Sequence, residues 1–215
     1  MKKYKYLLFD LDGTLTDPGE GITNSVTYAL KKWGIEVTDK KELYCFIGPP
    51  LSASFKKYFG FDDEDALKCV EYYREYFRDR GIFENQVYQG IPELLCRLKA
   101  EGYVLVLATS KPDGFAKIIL EHFDLAKYFD FVAGASMDES RNKKADVIRY
   151  ALDMAKIEDR SLALMIGDRD QDMLGAKING LDSLGVLYGY GSKAELEGAG
   201  ATFIADGVED ILNFI

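Results

Sequence analysis

Histidine and tryptophan each occur once in the 215 residues, and cysteine three times. A lone histidine, His122, excludes a serine–histidine–aspartate triad and a histidine-rich metal site. Cys45, Cys69 and Cys96 are odd in number and far apart, which argues against a disulfide framework or a zinc cluster. They are expected as small buried or half-buried apolar residues. No apolar run approaches the ~18 residues of a membrane span. The apolar stretch at the N-terminus, Tyr6–Phe9, is too short for a secretory signal and runs straight into Asp10. A cytoplasmic protein without a membrane partner is the expectation. Basic residues are also scarce: 27 Lys and Arg against 36 Asp and Glu leave a net charge of −9. That balance speaks against a nucleic-acid-binding surface. An anionic substrate would need a metal ion and one or two lysines to offset the charge locally.

Six apolar runs have strand length and end in polar residues or glycine: Tyr6–Phe9, Tyr103–Ala108, Phe131–Ala133, Leu162–Ile166, Ser183–Leu187 and Thr202–Ala205. Most lack polar/apolar alternation, as in parallel strands covered on both faces. Helical patterns lie between them. One carries Leu94, Leu95 and Leu98, another Phe115, Ile118, Ile119 and His122, a third Val147, Ile148, Ala151 and Leu152. The alternation predicts an α/β doubly wound, Rossmann-like parallel sheet. Residues from about Pro18 to Gln86 break the rhythm with helical patterns alone. Ile22, Val26, Ala29 and Trp33 form one stripe, and Leu67, Val70, Tyr73 and Phe77 another. This block reads as an inserted helical domain, 17–86, within a core made of 1–16 and 87–215.

The first strand ends in "FDLDGTLTD", Phe9 to Asp17. Asp10 and Asp12 point to the same face if the strand continues through them. Two like charges so close need a cation or a shared proton, although acids beside glycine also suit an ordinary turn. The second strand ends in Thr109, Ser110 and Lys111, a hydroxyl and backbone N–H groups that suit either a phosphate or a helix cap. A later strand ends "GDRDQD", placing Asp168 and Asp172 at the same edge. Open α/β sheets bind ligands there. Three strands delivering polar groups to one edge point to a hard, oxygen-ligated Mg²⁺ and phosphoryl transfer.

The set resembles the haloacid dehalogenase superfamily, specifically its phosphatases similar to phosphoglycolate phosphatase. The likeness spans essentially the whole chain. It rests on D-x-D-G-T in "LLFDLDGTLTD", on Thr109 at the end of "VLVLATSKP", and on G-D-x-x-x-D in "MIGDRDQDMLGA". The family's lysine is assigned to Lys144 of "RNKKADVIRYAL", directly before a helical pattern, with Lys143 as the alternative. The resemblance implies that Asp10 is the nucleophile, forming an aspartyl-phosphate. It makes Asp12 the acid and base for the leaving group and the water. Asp10, the Asp12 carbonyl and Asp168 would hold Mg²⁺, with Asp172 behind them. Thr109 and the N–H groups of Leu11, Asp12 and Ser110 would hold the phosphoryl oxygens, and Lys144 would balance their charge. The helical insert corresponds to a cap that closes over the site, and Ile47–Leu51 to a substrate-facing loop or a rigid Pro–Pro turn.

The implied substrate is a small phosphorylated metabolite such as phosphoglycolate or a nucleoside monophosphate, handled by a monomer or homodimer. A sugar phosphomutase of the β-phosphoglucomutase type, a pyrophosphatase and a phospho-accepting signalling module are the alternatives. His122 is expected to be structural, on an apolar face. "YGYGS", Tyr188 to Ser192, lacks the helix-opening glycine pattern of a dinucleotide site. Trp33 and the aromatic helix are expected in the core of the insert, base stacking being the alternative. Lys111, Arg141 and Lys143 form either a solvated basic rim or an anion-gathering surface.

Overall fold

Four apolar residues, Tyr6–Phe9, form strand β1 in the computed structural model, which describes residues 3–138 and 140–215. Strand β2 (Thr16–Asp17), helices α1 (Gly19–Lys31), α2 (Leu51–Phe59) and α3 (Asp63–Tyr76), and strand β3 (Gln86–Val87) follow. The chain then alternates through α4 (Ile91–Ala100), β4 (Val104–Pro112), α5 (Asp113–His122), β5 (Phe131–Ala135), α6 (Lys144–Met154) and β6 (Ala163–Gly167). It ends with α7 (Asp170–Ile178), β7 (Asp182–Val186), α8 (Lys193–Gly198) and β8 (Phe203–Ala205).

Among the described residues the six longer strands make one parallel sheet in the order β5-β4-β1-β6-β7-β8. This is the expected doubly wound α/β fold. The winding direction reverses across β1, so its carboxyl end is the place where such sheets bind ligands. Leu7, Leu8 and Phe9 have no exposed surface, as a central strand covered on both faces requires. On one face, Val147, Ile148, Ala151 and Leu152 of α6 pack with Leu8, Val106, Ala133 and Met165 of the sheet. Each such buried Leu or Ile contributes about 1.5–3 kcal/mol. β4 runs on through Thr109 to Pro112 rather than stopping at Ala108, because its register against β5 shifts between Ala108 and Pro112. Such a bulge re-aims side chains at a strand end.

The chain divides into two compact units, one of residues up to Thr16 with Val87–Ile215, the other Asp17–Gln86. It passes between them through β2 and β3, which pair with each other. In the helical unit, Asp62 caps α3 by accepting from the Asp65 N–H at 2.9 Å, and three acids in the first turn suit the helix dipole. The aromatic residues are its core. Phe46 meets Phe55 edge-on at 4.9 Å between ring centres, and Trp33 packs on Phe61 at 5.2 Å. Ile47 is buried, and Pro50 stands immediately before α2.

The helical phase differs from expectation in two places. In α3 the buried stripe is Ala66, Cys69, Val70 and Tyr73, while Leu67 is exposed. In α5 it is Ala116, Ile119 and Leu120, leaving Ile118 and His122 outward. In each helix a smaller residue, Ala66 or Ala116, allows the close approach to its neighbours. His122 is therefore a surface residue, edge-on to Phe123. Cys69 is buried and Cys45 half-buried, but Cys96 is exposed on α4. Among the described residues, no helix is long and apolar enough to cross a membrane.

Candidate active site

Just beyond β1, the Asp10 N–H donates to the Ile166 carbonyl at 2.9 Å, carrying the ladder with β6 one residue past the strand. The chain then turns tightly. The N–H groups of Thr14, Leu15 and Thr16 all return to the Leu11 carbonyl, at 3.2, 2.9 and 3.0 Å. Gly13 sits in this turn with φ +82°, and a Cβ there would come within 2.1 Å of the Asp168 carboxylate. Glycine is required on both counts.

Asp168 follows β6 and Asp172 lies in the first turn of α7; neither has exposed surface. Asp172 accepts from the Arg169 N–H at 3.1 Å. Oxygens of Asp10, Asp168 and Asp172 all lie within 4.8 Å of one another. Lys144, the first residue of α6, reaches this group from the other side. Its ammonium is 2.8 Å from Asp10 Oδ1, 2.8 Å from Asp172 Oδ1, and donates to the Ala108 carbonyl at 3.1 Å. Lys143 is exposed instead. The Leu11 N–H also donates to Asp10 Oδ1, at 2.7 Å.

Asp12 faces different company. Its Oδ2 pairs with Lys111 at 3.0 Å, and its Oδ1 is buried without a hydrogen-bond partner. Thr109 is buried within β4, three residues before its end, its hydroxyl oxygen accepting from the Lys111 N–H at 3.2 Å. Lys111 is thus no solvated rim residue. Nor is Arg141, which pairs with Asp113 at 3.1 Å. Of the three cations read as a rim, only Lys143 is exposed.

"YGYGS" proves to be the wall behind Asp168. The Tyr190 N–H donates to Asp168 Oδ2 at 2.8 Å, and the Tyr188 hydroxyl donates to the Thr14 carbonyl at 2.9 Å. A Cβ on Gly189 would lie 2.5 Å from that of Asp168, and one on Gly191 would lie 1.8 Å from its carbonyl oxygen. Those glycines exist for backbone contact. Their alternation with tyrosine was the available signal, but it does not say what the backbone touches.

Charge does not balance around Asp10. Among the described residues, Lys144 pairs with two of the three buried carboxylates, Asp10 and Asp172, and Lys111 pairs with Asp12. Burial, then the charges of Asp172 and Asp10, push Asp168 well above the usual carboxylate range. Burial raises Asp172 to about 6, against the pull of Lys144. Asp12 is also raised by burial, with Lys111 opposing. For Lys144, burial favours the neutral form, but Asp10 and Asp172 outweigh it and hold the ammonium charged. A buried, oxygen-only donor set with surplus negative charge fits a hard divalent cation.

The raised Asp172 has a measurable consequence without metal. A carboxyl whose folded pKa exceeds its unfolded one stabilises the fold below the unfolded value, and loses that contribution as pH rises through the folded value. The window here runs from 3.8 to about 6. In chelator, Asp172→Asn should therefore gain stability relative to the parent on going from about pH 4 to 7, by on the order of 1–3 kcal/mol. Denaturant midpoints across that range check it; parallel curves would contradict it.

A family model described as haloacid dehalogenase-like hydrolase matches residues 7–186. The chain is 48% identical over 194 residues to a 5′-nucleotidase of Pseudomonas aeruginosa, covering 90% of this chain and 87% of that protein. It is 38% identical over 185 residues to a protein of Mycobacterium tuberculosis named tyrosine-protein kinase PtkA, covering 86% of this chain and 62% of that one. The crystal structure of a predicted phosphatase from Clostridium acetobutylicum superposes with a TM-score of 0.95 at 52% identity, over 98% of this chain and 97% of that one.

Proposed function

The chain belongs to the haloacid dehalogenase-like hydrolase family, and from that premise we propose that it is a Mg²⁺-dependent phosphatase of small phosphomonoesters, nucleoside 5′-monophosphates first among them. The observation that carries this reading is the split between two acids of one loop. Asp10 lies with Lys144 against Asp168 and Asp172, whereas Asp12 lies with Lys111 and is raised by burial. Neighbouring carboxyls in contrasting surroundings suit contrasting roles.

In this mechanism Asp10 attacks phosphorus, and the bond to the leaving oxygen breaks as the aspartyl-phosphate forms. Its orientation is supported by the Leu11 N–H and Lys144. Asp12, whose pKa burial raises, is the acid that gives a proton to the leaving oxygen. As a carboxylate it then takes a proton from the water that attacks the phosphorus, releasing phosphate and restoring Asp10. Thr109 and the N–H groups of Leu11, Asp12 and Ser110 hold the phosphoryl oxygens. Lys144 holds Asp10 in place through their 2.8 Å ion pair and offsets the incoming charge. Asp10, Asp168 and the Asp12 carbonyl would hold the cation, with Asp172 supporting them; once bound, it would neutralise phosphate charge as a Lewis acid.

The helical unit 17–86 acts in this reading as the cap that recognises the leaving group. It contains its own polar cavity of about 370 Å³, with Thr23, Lys40, Tyr44 and Gln86 among its lining residues. That is within the range of small-molecule sites. The similarity to a 5′-nucleotidase favours a nucleoside as the leaving group. The test is phosphate release from nucleoside 5′-monophosphates, phosphoglycolate, sugar phosphates and pyrophosphate in Mg²⁺. The expected result is a kcat/KM at least ~10-fold higher for a nucleoside 5′-monophosphate than for the others. Transfer within a sugar phosphate, or no release from any compound, would overturn the proposal.

A further inference from the structure

The lysines Lys111 and Lys144 come from separate segments that follow neighbouring strands of the sheet, β4 and β5, and neither segment is held by the sheet ladder alone. Lys111 lies in the bulged end of β4. Lys144 opens α6 after the loop that follows β5. Arg141 joins the two. Its terminal guanidinium nitrogen donates to Asp113 Oδ2 at 3.1 Å, its Nε donates to the Gly134 carbonyl at 3.0 Å, and its carbon lies 3.8 Å over the ring centre of Tyr150 in α6. The Arg141 backbone exchanges two bonds with Ser136, at 2.9 and 3.1 Å, closing the loop on itself. Asp113 stands two residues after Lys111 and accepts also from the Gly134 N–H. A Cβ at Gly134 would lie 2.6 Å from the Lys111 carbonyl, so backbone is pressed against backbone here.

We propose that Arg141 and Asp113 are positioning residues, a brace that sets Lys111 against Asp12 and Lys144 against Asp10. Neither touches the reacting groups. A planar guanidinium that bonds two acceptors while stacking on a ring cannot be replaced by an ammonium. The kinetic arm of this inference rests on the phosphatase reading above.

Arg141→Ala and Arg141→Lys are both expected to lower kcat by ~10–100-fold, the cost of a misplacement on the order of 1 Å. KM should stay within about threefold, since the lysines act on charge developing in the reaction. In a Lys144→Gln background the further loss from Arg141→Ala should shrink to within ~3-fold, because the brace then has one lysine fewer to place. Amide hydrogen exchange at residues 140–144 should quicken in Arg141→Ala while the thermal midpoint shows the variant folded. Unchanged kcat in the folded variant, or an undiminished loss beside Lys144→Gln, would overturn the proposal. If the parent protein releases no phosphate from any ester, the functional reading fails by itself. Exchange then decides the brace: faster exchange supports it and unchanged exchange overturns it.

Discussion

Asp10→Asn is expected to abolish turnover, lowering kcat by ~10⁴-fold or more, as loss of a covalent nucleophile does. The amide keeps the side chain's shape and its place beside the Leu11 N–H and Lys144. It removes one of three crowded carboxylates, so the fold should not suffer. In metal-free buffer the thermal midpoint should hold or rise, since repulsion with Asp168 and Asp172 is relieved. Phosphate release under multiple turnover, with the midpoint measured in parallel, distinguishes a chemical defect from a folding one. Near-parental activity would end the role proposed for Asp10 and, with it, the aspartyl-phosphate.

Removal of divalent metal is expected to be almost as severe. Among the described residues, the three clustered carboxylates Asp10, Asp168 and Asp172 are met by the one ammonium of Lys144, which pairs with Asp10 and Asp172. A doubly charged phosphate would enter that surplus of negative charge against steep repulsion. Exhaustive chelation should cut activity by ~10³-fold or more, and Mg²⁺ added back should restore it. Asp168→Asn should resemble the chelated enzyme and respond only weakly to added Mg²⁺. Calorimetry would show the same contrast in cation binding, independently of turnover. Full activity after chelation would remove the metal from the mechanism.

The meeting of the candidate site residues was legible in the sequence because they sit at fixed offsets from strand ends. Asp10 follows β1, Thr109 lies in the polar end of β4, and Asp168 follows β6. The parallel register carries all three to one edge, so strand ends and topology together nearly specify their meeting. Lys144 was legible for a similar reason, as the first residue of a helix. What the sequence hid was contact across long separations. Nothing in "YGYGS" says that its glycines press on Asp168, and nothing in "TSK" says that Lys111 turns to Asp12. Arg141 looked like a surface cation because its partners, Asp113 and Tyr150, are brought to it only by the folded β4–β5–α6 packing. The helical phase of α3 and α5 slipped for a local reason. An alanine beside a larger apolar residue gives two stripes of similar apolarity, and close packing selects the smaller one.

The central place of β1 also dictates the order in which the protein is assembled. Its two partners begin at Val104 and Ala163, so the first strand made is not enclosed on both edges until β6 appears. During synthesis its apolar residues must wait for most of the chain to appear, an exposure that invites chaperones and misassociation. The helical unit has no such delay, because Asp17–Gln86 is one continuous segment whose helices can pair as soon as it emerges. Low-separation contacts form fast, and parallel pairing across long loops is slow. The helical unit can thus be folded while the candidate site at the sheet edge does not yet exist, and Asp10, Asp168 and Asp172 meet only when the final third of the chain closes the sheet.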